Sequence, residues 1–361
     1  MMKAQNPTEI KDSSGKTETF GFLLMPEFPI YAFILAVEAL RVANQNAGRR
    51  LFLSYLITTD GAPVAAGNGM TIVPDLSIAQ ASFIPNVIVF ACNHPSKHIT
   101  RSLLAWLRRL DRHGALLGAV DTGQFALAAA GLLDGYTVTL HWEAMPLFRE
   151  QYPSIEIRET LFAIDRNRVT CAGGIATLDL MLHLIANRHG RALAEVVANG
   201  FVRGRIRHDS EQQRASVDDA FGLVNHRLAS IVHTMEAHLE TPLTTEALAA
   251  GAGISVRQIE RLMRDTLGET PSRYYLKLRL QAARNHLFYG DMPIQDIAQA
   301  CGFSSPSVLS RAFRDHFGLS PREFRRQFSV DRLERFRPEL RRQSGLGGSL
   351  SADRQPSPDP A

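Results

Sequence analysis

Residues 248–275 read LAAGAGISVRQIERLMRDTLGETPSRYY, and residues 297–324 read IAQACGFSSPSVLSRAFRDHFGLSPREF. Early in each segment a leucine or isoleucine, an alanine, a glycine and a serine recur at a spacing of 49 residues. Later in each segment two arginines, an aspartate, a glycine and a proline recur at a spacing of 50. Chance hardly produces such agreement, so the sequence predicts two copies of one helical unit.

Each copy has the residue order of a helix-turn-helix. A glycine, Gly253 or Gly302, lies at the expected turn, where glycine adopts a positive φ at little cost. A serine then caps the second helix, and in the second copy Pro306 follows Ser305 at the first helical position, where a missing N–H group loses no partner. One long helix, Ser272 to Leu287, is predicted to join the two copies.

The second helix of each copy has an apolar face and a polar face. The residues expected to face the core are Ile259, Leu262, Met263, Leu309, Ala312 and Phe313. The residues expected to meet DNA are Arg257, Gln258, Glu260, Arg261, Arg264, Ser307, Arg311 and Arg314. Exposed arginines on one hairpin could simply be solvated, but two polar faces in register indicate that the domain binds nucleic acid. An arginine side chain can donate two hydrogen bonds to the edge of a guanine base. Glu260 either accepts a hydrogen bond from the amino group of cytosine or forms an ion pair with Arg264.

The composition is that of a soluble globular protein with room for two domains: 361 residues, 45% hydrophobic and 21% charged. No apolar run is long enough to cross a membrane, and the first residues lack the apolar core of a signal peptide, so we expect a cytoplasmic location. The three cysteines, Cys92, Cys171 and Cys301, fit neither a disulfide framework nor a zinc site. We therefore expect no metal and no cofactor.

The first half of the chain predicts an α/β fold. Short β-rich runs alternate with amphipathic segments from Phe20 to about Gly190, and the central runs are apolar on both faces, as in a parallel sheet. The predicted strands are FGFLLM, LFLSYLIT, NVIVFA, ALLGAV, ETLFAI and RVTCA. The alternation predicts a doubly wound, mostly parallel, flavodoxin-like sheet, in which ligands bind at the carboxyl ends of the strands.

Changes in composition divide the chain. Residues 18–205 are predicted to form the α/β domain, 206–225 a linker, and 226–328 an all-α domain with two helix-turn-helix motifs. Residues 1–17 and the Ser/Gly/Pro-rich residues 329–361 are expected to be disordered.

Residues 226–328 resemble the AraC/XylS-type DNA-binding domain. The match is carried by GFSSPSVLSRAFRDHFGLSPREFR, residues 302–325, where Gly-Phe opens the second recognition helix and Gly-x-x-Pro closes it. The resemblance implies two recognition helices in successive major grooves, contacting bases about 10 bp apart in a site of about 20 bp per chain. By position in the motif, it implies base contacts from Arg257, Glu260, Arg261, Ser305, Pro306, Ser307 and Arg311. Pro306 stands where the family often has a polar residue.

Residues 20–205 resemble the PfpI-like, class I glutamine amidotransferase-like domain of a subgroup of AraC-type regulators. The match is carried by GFLLMPEF (21–28), GAVDTGQFALAAAGLLDGYTVTLHW (118–142) and FAIDRNRVTCAGGIATLDLMLHLIA (162–186). Enzymes of this superfamily have a cysteine at the position of Asp121, where the start of the next helix favours a thiolate. The free backbone N–H groups at the start of that helix would also let the Asp121 side chain cap it. An aspartate is no ready replacement for the thiolate, however.

The strand ends of this domain are therefore expected to form a ligand pocket without amidase chemistry. The residues at pocket-matched positions are Glu27, Phe28, Asn93, His94, Asp121, Thr122, His141, Trp142, Gly173 and Gly174. His141 matches the histidine partner of the enzymes, or is a packed residue. The resemblance is closest to regulators that sense arginine, glycine betaine or carnitine. The aromatic residues Phe28, Tyr31 and Trp142 beside an acidic group would suit a quaternary ammonium through cation–π attraction.

Two alternatives for this domain stay open. An active PfpI-like amidase or glyoxalase-type enzyme would use Cys92, just after the strand NVIVFA, although a cysteine there is also an ordinary small buried residue. A structural or dimerisation domain would bind nothing. We favour a regulator that is not an enzyme: a homodimer that binds double-stranded DNA and a small-molecule effector and acts with RNA polymerase as an activator.

Overall fold

The computed structural model of the chain describes residues 17–203, 205–213 and 226–327. Of the segments expected to be disordered, 1–17 and 329–361, residues 1–16 and 329–361 lie outside the described residues, as do residues 214–225 of the predicted linker. No helix within the described ranges is long and apolar enough to cross a membrane.

An α/β domain opens the described chain, followed by a helical domain. The strands are β1 (Glu18–Leu24), β2 (Phe52–Thr58), β3 (Val64–Ala65), β4 (Thr71–Ile72), β5 (Leu76–Ser77), β6 (Asn86–Ala91), β7 (Leu116–Asp121), β8 (Thr137–Val138), β9 (Glu156–Ile157), β10 (Phe162–Asp165) and β11 (Arg168–Cys171). The helices of the first domain are α1 (Ile30–Ala47), α2 (Arg101–Arg112), α3 (Gln124–Ala129), α4 (Met145–Gln151), α5 (Ala176–His189) and α6 (Arg191–Gly200).

Seven strands form the main sheet, in the order β10-β11-β7-β6-β1-β2-β5. All neighbours are parallel except β10 and β11, so the predicted doubly wound, mostly parallel fold is confirmed. Strand β1 lies between β2 and β6, which makes the gap between the ends of β1 and β6 the topological switch point of the sheet. Ligands of such sheets bind at this point, outside the carboxyl ends of the strands.

Helices cover both faces of the sheet. Successive residues of β1 alternate between two cores, since Phe22 and Leu24 pack with α1 and α5, and Leu23 packs on the opposite face. Trp106 of α2 belongs to the same cluster as Leu23, with its indole N–H donating to the carbonyl of Ala81. Burial on both faces explains why the central strands are continuously apolar.

The helical domain contains two hairpins that share one long helix. Its helices are α7 (His226–Ala237), α8 (Thr245–Gly251), α9 (Val256–Leu267), α10 (Pro271–Tyr289), α11 (Ile294–Ala300), α12 (Pro306–Phe317) and α13 (Pro321–Gln327). Helix α10 contributes Tyr275 to the core of the first hairpin and Leu280 and Leu287 to the core of the second. The predicted core residues Ile259, Met263, Leu309 and Phe313 are fully buried, and Leu262 and Ala312 are partly buried.

Residues 206–213, which we predicted to begin the linker, pack against the α/β domain. The buried carboxylate of Asp179 accepts hydrogen bonds from Arg203 and Arg207. The side-chain amide of Gln213 donates to the carbonyl oxygens of Leu140 and Thr160. These contacts fix the path of the chain as it leaves the first domain.

The turn glycines of the two hairpins give a matched pair of test positions. Gly253 and Gly302 have φ of 66° and 67°. A Cβ on Gly302 would lie 2.5 Å from the carbonyl oxygen of Leu239 and 2.6 Å from the ring of Pro242, whereas a Cβ on Gly253 would meet nothing within 4 Å.

We expect Gly253→Ala to lower the free energy of unfolding by about 1 kcal/mol, the cost of a left-handed alanine. Gly302→Ala should lower it by about 3 kcal/mol, because the clash with backbone adds to the same conformational cost. Urea unfolding followed by circular dichroism measures both. Equal losses would contradict the close packing of the second turn.

Candidate ligand pocket and DNA-reading surface

The polar faces of α9 and α12 are exposed as predicted. The exposed residues are Arg257, Glu260, Arg261, Arg264, Pro306, Ser307, Arg311 and Arg314. Ser305 is half-buried, and its hydroxyl accepts from the N–H of Val308 at 3.3 Å, which caps α12. Ser305 therefore has a structural role at the start of the recognition helix.

Ion pairs distinguish the charged residues of this surface. Arg314 contacts Glu323 at 3.4 Å, and the carboxylate of Glu323 also accepts from the hydroxyl of Ser320. Glu260 and Arg264 form no ion pair within the described part of the chain, so the alternative in which Glu260 only pairs with Arg264 has no support. The side chain of Glu260 is exposed.

The pocket residues come together at the switch point of the sheet. Glu27 follows β1, Asn93 follows β6, Asp121 ends β7 and Gly173 follows β11. Asn93 is close enough to Glu27 for a side-chain hydrogen bond, and a Cβ on Gly173 would lie 3.1 Å from Cβ of Asp121. Four of the predicted positions are thus grouped at one edge of the sheet.

Asp121 is buried without adequate hydrogen-bond donors. Its side chain belongs to a residue that is 3% exposed, and Oδ1 has no hydrogen-bond partner among the described residues. The predicted cap role is wrong: the N-cap of α3 is Gly123, which has helical φ and ψ, and no side chain caps this helix. Burial, reinforced by the charge of Glu143, raises the pKa of Asp121 well above its usual range.

The carboxylate of Asp121 can occupy its position because residue 173 is a glycine and has no side chain beside it. Its φ of 89° is in the region that glycine favours, and an added Cβ would come within 3.2 Å of Oδ2 of Asp121. The neighbouring Gly174 faces the ring of Tyr31, since its Cβ would lie 3.8 Å from that ring. A Cβ at Gly173 would fill space beside the carboxylate.

Backbone strain is concentrated at this site. Five non-glycine residues of the described chain have positive φ, and three of them are Glu27, His94 and Asp121. Such conformations cost about 1–3 kcal/mol each and persist where surrounding structure imposes them, typically at functional sites. Oε2 of Glu27 is also buried without a partner, and burial raises the pKa of Glu27 against the opposing effects of Asn93 and Lys97.

Cys92 is not activated as a nucleophile. Burial raises the pKa of its thiol, and the charges of Asp121, Glu27 and Glu143 raise it further, so the thiolate is disfavoured. The backbone N–H of His141 donates to the carbonyl of Asp121 at 2.9 Å, and burial lowers the pKa of the His141 ring. Among the described residues, no group of histidine, cysteine and acidic side chains is arranged to hold a metal ion.

The aromatic residues predicted for the pocket do not share one environment. Phe28 is fully buried and packs edge-on against Phe33 at 5.6 Å, in the core. Trp142 lines a cavity between the two domains. Tyr31 is 56% exposed next to Gly174. The structure therefore leaves Tyr31 as the aromatic ring available beside the acidic groups.

Thr122 and His94 have structural settings within the pocket wall. The hydroxyl of Thr122 donates to the carbonyl of Cys92 at 2.6 Å, tying the end of β7 to the end of β6. His94 is 1% exposed and precedes the 3-10 turn Pro95–His98.

Sequence reasoning missed three residues near the pocket: Glu143, Arg284 and Tyr289. Glu143 directly follows the stretch that carries the PfpI resemblance, and that position was its one signal. Arg284 and Tyr289 lie on α10, where the pattern indicates only a helix between two DNA-binding hairpins. Both contact Glu143 across the domain boundary.

Comparison with known proteins identifies both domains. A helix-turn-helix domain model matches residues 248–327, and the DJ-1/PfpI family model matches residues 22–187. The HTH-type transcriptional regulator CdhR from Pseudomonas aeruginosa is 44% identical over 86% of this chain and 92% of its own length. Its counterparts GbdR and ArgR from the same species are similar over most of the chain as well. GbdR is 41% identical over 85% of this chain and 84% of its own length. ArgR is 36% identical over 87% of this chain and 94% of its own length.

These matches cover both domains in the order observed here, and the exposed polar faces of α9 and α12 lie within the helix-turn-helix match. The chain belongs to the AraC-type, HTH-type transcriptional regulators that carry a DJ-1/PfpI domain ahead of their DNA-binding domain.

Proposed function

We propose that the DJ-1/PfpI domain of this regulator binds a small cationic, amine-bearing metabolite and catalyses no reaction. The observation that carries the proposal is Asp121, a buried carboxylate with an unpartnered oxygen at the position of the enzymes' cysteine. Glu27 adds a second buried, unpartnered carboxylate oxygen at the same edge of the sheet. A bound cation would supply the charge compensation that both groups lack.

The ligand class is proposed from this charge and from the exposed aromatic ring of Tyr31. Glycine betaine, carnitine and arginine each carry a fixed positive charge, and Tyr31 can contribute one cation–π contact, worth about 0.5–2 kcal/mol. The raised pKa of Cys92 supports binding over hydrolysis, because it disfavours the thiolate that an amidase would need. Of the other predicted residues, Thr122 belongs to the pocket wall, whereas Phe28 packs in the core and Trp142 lines the cavity between the domains.

At the operator, we propose that each chain reads a bipartite site of about 20 bp with α9 and α12. Arg257, Glu260 and Arg261 would contact bases from α9, and Ser307 and Arg311 from α12, with Ser305 and Pro306 setting the start of α12. Arg264 and Arg314, further along the helices, suit phosphates. Two chains would bind as a homodimer and activate transcription with RNA polymerase.

Arg311→Ala tests base reading. It should weaken binding to the matched operator by about 1–3 kcal/mol and relax specificity at one position, because an arginine fork reads guanine. Arg314→Ala is the matched control on the same helix. If Arg314 contacts phosphate, its loss should weaken matched and scrambled sites alike and reduce the salt slope by about one. Fluorescence anisotropy with both duplexes measures this, and equal loss on both duplexes for Arg311→Ala would show that Arg311 reads no base.

Asp121→Asn tests the ligand site. The amide keeps the shape of the carboxylate, and asparagine tolerates a positive φ, so folding should be preserved. Calorimetric titration of the full-length chain with glycine betaine, carnitine and arginine should find binding in the wild type and at least a 10-fold loss in the variant, since breaking a buried charge contact costs about 3–5 kcal/mol. Asp134→Asn, at an exposed aspartate, should bind like the wild type. No binding of any of the three by the wild type would remove this ligand class.

The same substitution should stabilise the ligand-free protein above neutral pH. The pKa of Asp121 is raised in the folded state, so the folded state binds the extra proton, and stability is lost as pH rises through that folded pKa. Asp121→Asn removes this loss. We expect its free energy of unfolding at pH 8 to exceed that of the wild type by about 1 kcal/mol, with a smaller difference at pH 5. A variant that is less stable than the wild type at pH 8 contradicts the assignment of a strained, desolvated carboxylate.

A further inference from the structure

The end of α10 contacts the DJ-1/PfpI domain beside the ligand pocket. The hydroxyl of Tyr289 donates to Oε2 of Glu143 at 2.9 Å, and Nη1 of Arg284 donates to Oε1 of the same carboxylate at 3.2 Å. Both carboxylate oxygens of Glu143 thus accept hydrogen bonds from the DNA-binding domain. The Glu143 side chain is 15% exposed, so this contact is screened by salt less than a surface ion pair would be.

Tyr289 brings the DNA-binding domain close to the pocket itself. It is 4% exposed and packs in the hydrophobic cluster that contains Leu147 and Phe148 of α4. Its ring centroid lies 6.4 Å from that of His141. Burial raises the pKa of the phenol and the charge of Asp121 raises it further, so the phenol stays protonated within electrostatic reach of the pocket carboxylate.

A short path connects Glu143 to Asp121. The N–H of Glu143 reaches Nδ1 of His141 at 3.4 Å, and the N–H of His141 donates to the carbonyl of Asp121 at 2.9 Å. The two carboxylates also interact directly, since the charge of Glu143 raises the pKa of Asp121. Arg284 supplies a positive charge to this acidic group from the other domain.

The surfaces around the contact are not closely packed. A cavity of about 410 Å³ separates Trp142 and Met145 of the first domain from Leu278 and Gln281 of α10. The cavity reduces the area over which the two domains are packed together, and Tyr289 is the side chain of α10 that is buried in the core cluster of the first domain. A second ion pair, Lys97 with Asp291 at 3.2 Å, is solvent-exposed and contributes little.

We propose that Glu143, Tyr289 and Arg284 hold the DNA-binding domain against the ligand pocket in the effector-free protein, and that a cationic effector releases it. The effector supplies the positive charge that Arg284 provides in its absence, which weakens the hold of Glu143 on α10. This inference rests on the proposed function, because it takes the effector to be a cation. Binding and release are linked, so the effector must bind more tightly once the contact is removed.

Glu143→Gln and Tyr289→Phe test the contact, since each keeps the shape of the side chain and removes one hydrogen-bonding group. Glu159→Gln is the control: Glu159 lines the same cavity but pairs with Arg149 of its own domain at 3.2 Å. Hydrogen exchange of the full-length chain without effector should rise several-fold in residues 142–148 and 284–290 in the two variants and stay unchanged in the control. Unchanged exchange in the two variants overturns the docking contact, whatever the effector is.

Operator binding tests the switch. Without effector, both variants should bind the operator at least about 5-fold more tightly than the wild type. Whichever of glycine betaine, carnitine and arginine binds the wild type should bind Tyr289→Phe more tightly by the same factor, because this variant keeps the charge of Glu143 in the acidic site. If none of the three binds while exchange rises as expected, the contact stands and the ligand class fails. If exchange rises but operator affinity matches the Glu159→Gln control, release is not the switch, and the proposal is overturned.

Discussion

A charged oxygen that is buried without a hydrogen-bond donor is unfavourable, and Oδ1 of Asp121 is such an atom. The fold supports it with a glycine at 173 that leaves room beside it and with a positive φ at Asp121 itself. Among the described residues, Asp121 forms no ion pair. Its position at the switch point, beside Glu27 and Glu143, gives the domain an acidic site that a cation can stabilise.

The helical domain is organised around α10 in a comparable way. One helix supplies core residues to both hairpins, so the relative placement of the two DNA-reading faces depends on it. The C-terminal part of the same helix contacts Glu143, which lies at the edge of the acidic site. A change in charge at the pocket and the position of the DNA-binding domain are therefore connected through a few side chains.

Local features of this chain could be predicted from its sequence, because they depend on neighbours within a few residues. The turn at Gly302, the cap at Ser305 and the apolar face around Phe313 are of this kind. The contact of Glu143 with Tyr289 joins residues 146 positions apart and leaves no periodic trace, so it needed the structure.

At the pocket, the grouping of the residues could be predicted from the sequence, but the placement of their side chains could not. The ends of parallel strands meet at one edge, so the grouping of Glu27, Asn93 and Asp121 could be predicted from their positions after the predicted strands and in the family motif. The side chains were harder to place. Phe28 points into the core, and Asp121 does not cap α3, because its backbone turns at φ 65° before the helix starts.

The most direct test of the acidic site is the number of protons that the protein releases when the ligand binds. A cation beside Asp121 must lower the raised pKa of this carboxylate, so binding should release protons. Calorimetry at pH 6 in buffers of different ionisation enthalpy gives this number for whichever of glycine betaine, carnitine or arginine binds. The account predicts net proton release in the wild type and a smaller release in Asp121→Asn, where only the raised pKa of Glu27 remains to be lowered. Binding without proton release, or with equal release in the variant, would contradict it.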